Sequence, residues 1–131
     1  MNVVDSCGWL EYLADGPNAG FSAPAITNLA ELVVPSISIY EVFKRVLQQR
    51  SVGDALSVAA TMQQSTVVDL DAPLALRAAQ MSVELRLPMA DSIILATART
   101  YRATLWTQDA DLKGLDGVQY IEAWRQDRAP G

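Results

Sequence analysis

Short apolar runs of strand character alternate with helical stretches along this chain. That alternation confines it to an α/β class with a mostly parallel sheet and helices on both faces. The strand-like runs are Asn2-Val3-Val4, Leu32 to Ser36, Thr66 to Leu70, Thr104 to Thr107 and Val118 to Ile121. Between the first two, Ser6 to Ala14 carries Trp9, Leu10 and Leu13 at helical spacing and stops at Asp15-Gly16-Pro17. Ala19 to Glu31 comes next as a second helix with an apolar stripe of Phe21, Ile26, Leu29 and Ala30, despite Pro24. Ser38-Ile39-Tyr40-Glu41 matches a capping box and opens a helix to about Arg50, and Val52 restarts a helix to about Gln64. Asp71 caps a helix to Leu85, Pro88 breaks the chain, and Asp91 starts the last helix, to Tyr101. The expectation is a three-layer α/β/α fold on roughly four or five short strands. Residues 1–124 form one domain in this reading, and 125–131 a polar tail.

Four acids sit at equivalent points of this pattern. Asp5, Glu41 and Asp109 lie just past a strand-like run, and all four, with Asp91, lie at or near the start of a helix. In a parallel α/β sheet such points gather at the carboxyl edge, where ligands bind. Acids meeting there repel one another unless they are protonated or neutralised by cations. A divalent-metal site is the natural inference.

The chain has no histidine and one cysteine among its 131 residues. Ser-His-Asp and Cys-His catalysis are excluded in their usual forms, as is a zinc site built on histidine or a thiolate cage. Oxygen ligands remain, and they suit hard cations such as Mg²⁺ or Mn²⁺. Cys7 reads as a small buried hydrophobe early in a helix. The net charge of −5 weighs against a nucleic-acid partner, yet cations bound among the acids would reverse that effect locally. Half of the residues are hydrophobic, but no run approaches the roughly 18 needed to span a membrane. With no basic leader, a cytoplasmic location is the default.

Each acid alone also has a structural explanation. Asp5 could cap the first helix, and Glu41 could complete the capping box with Ser38. Asp91 could complement a helix dipole, and Asp109 could belong to a turn. The signal is the conjunction: four separate elements, each bringing one acid to one edge.

With these residues in view, the chain resembles the PIN-domain ribonucleases, and most closely the short VapC-type toxins of bacterial toxin–antitoxin pairs. Val4-Asp5-Ser6 is similar to the family's opening strand into Asp and then Ser or Thr. Ser36-Ile37-Ser38-Ile39-Tyr40-Glu41 is similar to its second motif, Leu87 to Ala96 with Asp91 to its third, and Thr107-Gln108-Asp109 to its fourth. Trp106 departs from the pattern, standing where a smaller apolar residue is common. The resemblance implies a PIN-like fold, a metal-dependent endoribonuclease cutting single-stranded or looped RNA, a cognate antitoxin that blocks the site, and a homodimer. Asp5, Glu41, Asp91 and Asp109 would be the catalytic residues, holding one or two Mg²⁺ or Mn²⁺ ions. Ser6 and Thr107 would orient water or those carboxylates, and Asp111 is a further, more peripheral candidate. No histidine is needed where a cation generates the nucleophile from water.

Lys44 and Arg45 lie three and four residues beyond Glu41, on its helix face, and are candidates for holding RNA. Tyr12, Phe21, Tyr40 and Phe43 are candidates for an antitoxin groove, with the core as the competing assignment. Arg99 and Arg102 read as favourable charge at a helix end, and Trp9 as core. Two rival functions stay open. One is a catalytically silent PIN-like binding module. The other is a receiver-like domain for phosphoryl transfer, which wants paired acids near the first strand; here Asp5 has no acidic neighbour until Glu11.

Overall fold

A computed structural model describes residues 1–124. The polar tail expected from residue 125 onward lies outside the described residues. The elements run in the order β1 (Asn2–Val4), α1 (Ser6–Leu13), α2 (Ala19–Thr27), β2 (Val33–Pro35), α3 (Ser36–Gln49), α4 (Val52–Met62), β3 (Thr66–Val68), α5 (Ala72–Leu85), α6 (Met89–Thr100), β4 (Thr104–Thr107) and β5 (Val118–Tyr120). Single 3-10 turns cover Leu29–Glu31 and Ala110–Leu112. The first of these takes the end of the long second helix expected from the sequence.

Every strand pairing is parallel. β1 pairs with β4 and β4 with β5, while β2 pairs with β3. A parallel bridge from Asn2 to Leu32 sets β2 beside β1. The strand order is therefore 3-2-1-4-5. The chain leaves β1 in one direction, to β2 and β3, then crosses to the other side for β4 and β5. A topological switch point falls between β1 and β4, the place where open α/β sheets bind ligands.

Adjacent strand residues point to opposite faces, and this alternation divides the core. Val3, Val33, Val68 and Leu105 join α5 and α6 in one apolar cluster. Val4, Val34 and Leu32 join Trp9, Ile26, Val42 and Met62 in another, packed with α1 to α4. The sheet is thus the middle of three layers. Trp106, on β4, donates its indole N–H to Asn2 Oδ1 at 2.9 Å and takes the edge of Phe21 at a ring separation of 5.3 Å. Its bulk fills the α1–α4 side without disturbing the strand. Among the described residues no helix is long and apolar enough to cross a membrane.

Local chemistry sets the boundaries near the site. Asp5 caps α1 by accepting from the Gly8 N–H at 2.8 Å. Gly8 is needed for space. A Cβ there would lie 2.6 Å from Val4 Cγ1 and 3.2 Å from Asp5 Oδ1, so only glycine lets α1 press against β1. Before α6, Arg86 closes α5 in the left-handed region and Pro88 stands at the helix start, which places Asp91 in its first turn.

Candidate metal centre

The strand ends and helix starts bring the acids together as the topology requires. Asp5 ends β1 and is 3 % exposed. Its Oδ1 takes the Gly8 N–H, and its Oδ2 takes a short hydrogen bond from Thr107 Oγ1 across the switch point. The same Thr107 oxygen accepts the Asp109 N–H at 2.8 Å. One hydroxyl therefore ties the end of β1 to the loop after β4. Asp109 in turn accepts the Asp111 N–H at 2.9 Å, closing a 3-10 turn. Ligand oxygens of Asp91, Asp109 and Asp111 lie within 4.8 Å of one another. Asp111, expected at the periphery, belongs to the tightest trio.

Glu41 reaches the site differently from the capping-box expectation. α3 begins at Ser36, with Pro35 as its N-terminal boundary and no side-chain cap. Glu41 is thus more than a turn inside the helix, and its Oε1 accepts from Ser6 Oγ at 2.6 Å. Ser38 is fully buried, and its Oγ has no hydrogen-bond partner among the described residues. Ser38 caps nothing, and the structural explanation for Glu41 falls away.

The electrostatics carry the cost of this convergence. Burial raises the Asp5 carboxyl to about 6, against the lowering effect of Thr107 and Gly8, and the charges of Asp109 and Glu41 add to the rise. Asp91, 9 % exposed, is raised to about 8, first by burial, then by a hydrogen bond shared with Asp109 and by the charges of Asp109, Asp5 and Asp111. A proton on Asp91 relieves the repulsion that a cation would otherwise relieve. Oxygen-only donors, closely spaced, in a pocket that penalises their charge fit a hard divalent cation.

A family model for the PIN domain matches residues 3–118. The chain belongs to the PIN domain family. Solved structures agree on the fold. A toxin–antitoxin complex from Klebsiella pneumoniae superposes with a TM-score of 0.77 at 21 % identity, covering 94 % of this chain and all of that one (100 %). Mycobacterium tuberculosis VapC20, described as a Sarcin-Ricin loop cleaving toxin, gives 0.69 at 16 % identity over 90 % of this chain and 98 % of its own. DNA-bound VapBC from Salmonella typhimurium gives 0.69 at 16 % identity, over 93 % and 98 %. No curated protein matches the sequence significantly.

Several expectations for this PIN domain change in detail. Cys7 is exposed rather than buried. Its thiol is nonetheless pushed up to about 12, by partial desolvation and then by Asp5, Asp109, Glu41 and Asp91, so it is a neutral thiol in the metal-free protein. Tyr40 is 63 % exposed, so it is not core, and it lines a groove on α3 with Glu41 and Lys44. Tyr12 and Phe43 are half-buried against the α1–α4 cluster, and Phe21 packs on Trp106. A cleft of about 330 Å³ lies between α1, α3 and α4, lined by Leu10, Leu13, Val46 and Val58 together with the polar Gln49, Arg50, Asp54 and Ser57. Sequence reasoning missed Gly8, which both donates to Asp5 and admits the close approach of α1. A glycine inside an otherwise apolar helical pattern was its only signal. It also missed Asn18, whose Nδ2 donates to Gln108 Oε1 at 2.8 Å and steadies the loop before Asp109.

Proposed function

We propose that this PIN domain is an Mg²⁺- or Mn²⁺-dependent endoribonuclease acting on single-stranded or looped RNA, and the toxin of a toxin–antitoxin pair. The observation that carries the reading is the convergence of Asp5, Glu41, Asp91, Asp109 and Asp111 at the switch point between β1 and β4, with no basic side chain hydrogen-bonded to any of them among the described residues. Asp91, Asp109 and Asp111 would hold one cation, and Asp5 and Glu41 would share it or hold a second. The chemistry that a bound divalent cation supplies is Lewis acidity toward a water and a phosphate oxygen. The protein's own groups fix the carboxylates. Gly8 and Thr107 each occupy one oxygen of Asp5, and each oxygen keeps a lone pair with which it could bind a cation. Ser6 holds Glu41, and the Asp111 N–H holds Asp109. At neutral pH Asp91 must give up its proton as a cation enters, so metal binding releases protons.

The test is cleavage of a mixed-sequence RNA by purified protein in Mg²⁺ or Mn²⁺ and in EDTA. Cleavage that needs the metal and disappears in Asp5→Asn and Asp91→Asn, both still folded, supports the reading. Equal cleavage by the wild type and both variants marks a contaminant. No cleavage by any of them leaves a silent binding module. For the antitoxin, the Klebsiella and Salmonella neighbours are toxin–antitoxin assemblies by their own descriptions. The cleft lined by Leu10, Leu13, Val46 and Val58 is the seat this reading assigns to an amphipathic antitoxin helix. Leu13→Asp should then weaken capture of a co-expressed antitoxin without changing RNA cleavage. Homodimerisation has a candidate surface in Leu76 and Val83, 73 % and 81 % exposed on α5. Leu76→Arg should lower the molecular mass seen by light scattering. The setting proposed for this chemistry is the cytoplasm.

A further inference from the structure

The residue immediately before Glu41 is an aromatic ring left largely in solvent. Tyr40 is 63 % exposed, and the Lys44 ammonium lies 5.8 Å from its ring centroid. Tyr40 and Lys44 form one row along α3, and Glu41 and Arg45 form the next, each pair four residues apart. These four residues and Gln48 line a shallow groove of about 290 Å³. Arg45 also lines a second cleft of about 370 Å³ on its other side, with Cys7, Gln108 and Trp124. It therefore lines both depressions, one containing Glu41 and the other containing Cys7, Glu11 and Gln108. Among the described residues the one ion pair joins the Met1 amino group to Glu31, so neither Lys44 nor Arg45 is paired with a carboxylate.

This combination selects among ligands. Two unpaired cations beside an anionic pocket, in a chain of net charge −5, suit a polyanion that must be drawn past those acids. An exposed ring in the same groove suits an unstacked base, which paired strands do not offer. An amphipathic helix would instead want aliphatic anchors, and none lines this groove beside Tyr40, Glu41, Lys44, Arg45 and Gln48.

We propose that the solvent face of α3 is the track along which single-stranded RNA enters the acidic pocket. Tyr40 is the platform on which one base stacks, and Lys44 and Arg45 anchor the flanking phosphates. The assignment rests on the nuclease reading, and its test separates the two. Binding of a short fluorescein-labelled single-stranded RNA of mixed sequence is measured by anisotropy in an Asp109→Asn background, which removes turnover without touching α3. Tyr40→Ala should weaken binding about 5- to 100-fold, while Tyr40→Phe retains it. Lys44→Ala and Arg45→Ala should each lower the slope of log K against log salt by about 0.7, and Tyr40→Ala should leave that slope unchanged. A duplex of the same sequence should be indifferent to Tyr40. An RNA affinity unmoved by Tyr40→Ala, or a salt slope unmoved by both cation variants, overturns the track. The same is true if the background protein does not bind RNA at all, or if these substitutions release a co-expressed protein partner and spare RNA. Metal-dependent cleavage by the wild type alongside an unmoved affinity sinks the track alone. Binding that behaves as described with no cleavage in any metal sinks the nuclease reading alone.

Discussion

Two helices bring acids to the same pocket from opposite surroundings. α6 buries every residue from Asp91 to Ala98, so its acid is held by a segment embedded on all sides. α3 buries Ser38, Val42 and Val46 along one stripe, packs the half-buried Ile37, Ile39 and Phe43 beside it, and leaves Tyr40, Lys44 and Arg45 to solvent. Asp91 is accordingly raised by burial and by its neighbours, whereas Glu41 is half-exposed and held by the Ser6 hydroxyl. A side chain on α6 has no freedom to retreat from its neighbours' charge, and only a proton or a cation relieves it. A side chain on α3 has water beside it. Burial therefore fixes where a cation would sit, while the exposed helix supplies adjustment and access.

The largest effect should fall on the acids themselves. Asp91→Asn should cut metal-dependent RNA cleavage by more than roughly 1000-fold, because a cation contributes several kcal/mol of charge stabilisation. Glu41→Gln should cost only about 10- to 100-fold. Equal losses in a steady-state assay would break the contrast between the helices. In packing, Ile94→Ala on α6 should destabilise by about 2–5 kcal/mol. Leu47→Ala on the open side of α3 should stay within about 0.5 kcal/mol. Urea denaturation measures both.

A smaller effect should separate the two hydroxyls. Thr107→Val should weaken Mn²⁺ binding, read by calorimetry, by about 10- to 100-fold. Ser6→Ala should do less, because Ser6 touches Glu41 alone while Thr107 serves both Asp5 and the backbone of Asp109. The mildest effect is in pH. Asp5 at about 6 and Asp91 at about 8 both bind protons more tightly folded than unfolded. The folded state therefore carries the extra protons between the ordinary carboxylate range and pH 8, and metal-free stability should fall as pH rises through that window. Thermal melts in EDTA at pH 5 and pH 8 check the sign. Added Mn²⁺ should raise the melting temperature more at pH 8, and Asp91→Asn should flatten the upper part of the curve. A melting temperature that climbs from pH 5 to pH 8 in EDTA would contradict the burial of these acids.

The strand ends and the acids attached to them were legible because each junction is marked locally. Val-Val-Asp, Thr-x-Asp and Pro-x-x-Asp each pair a strand end or a chain break with the acid that comes next. The layered α/β architecture was readable from the same alternation. The start of α3 was not legible, because Ser38 and Glu41 imitate a capping box while Pro35 lets the helix begin at Ser36. Helix phase was also hidden. Whether Tyr40 or Cys7 faces inward depends on how α3 and α1 roll against the sheet, which tertiary packing decides. The place of Asp111 in the tight trio depends on a 3-10 turn held by one hydrogen bond, and no periodicity announces that.

The Thr107 hydroxyl, which ties the two sides of the switch point together, joins residues 102 positions apart in the chain. A ribosome releases Asp5 long before it releases Thr107 and Asp109. Until β4 docks beside β1, the nascent polypeptide has acids but no pocket in which to gather them. The acidic pocket thus comes into being only once β4 has been made, a delay written into strand order rather than into any separate control.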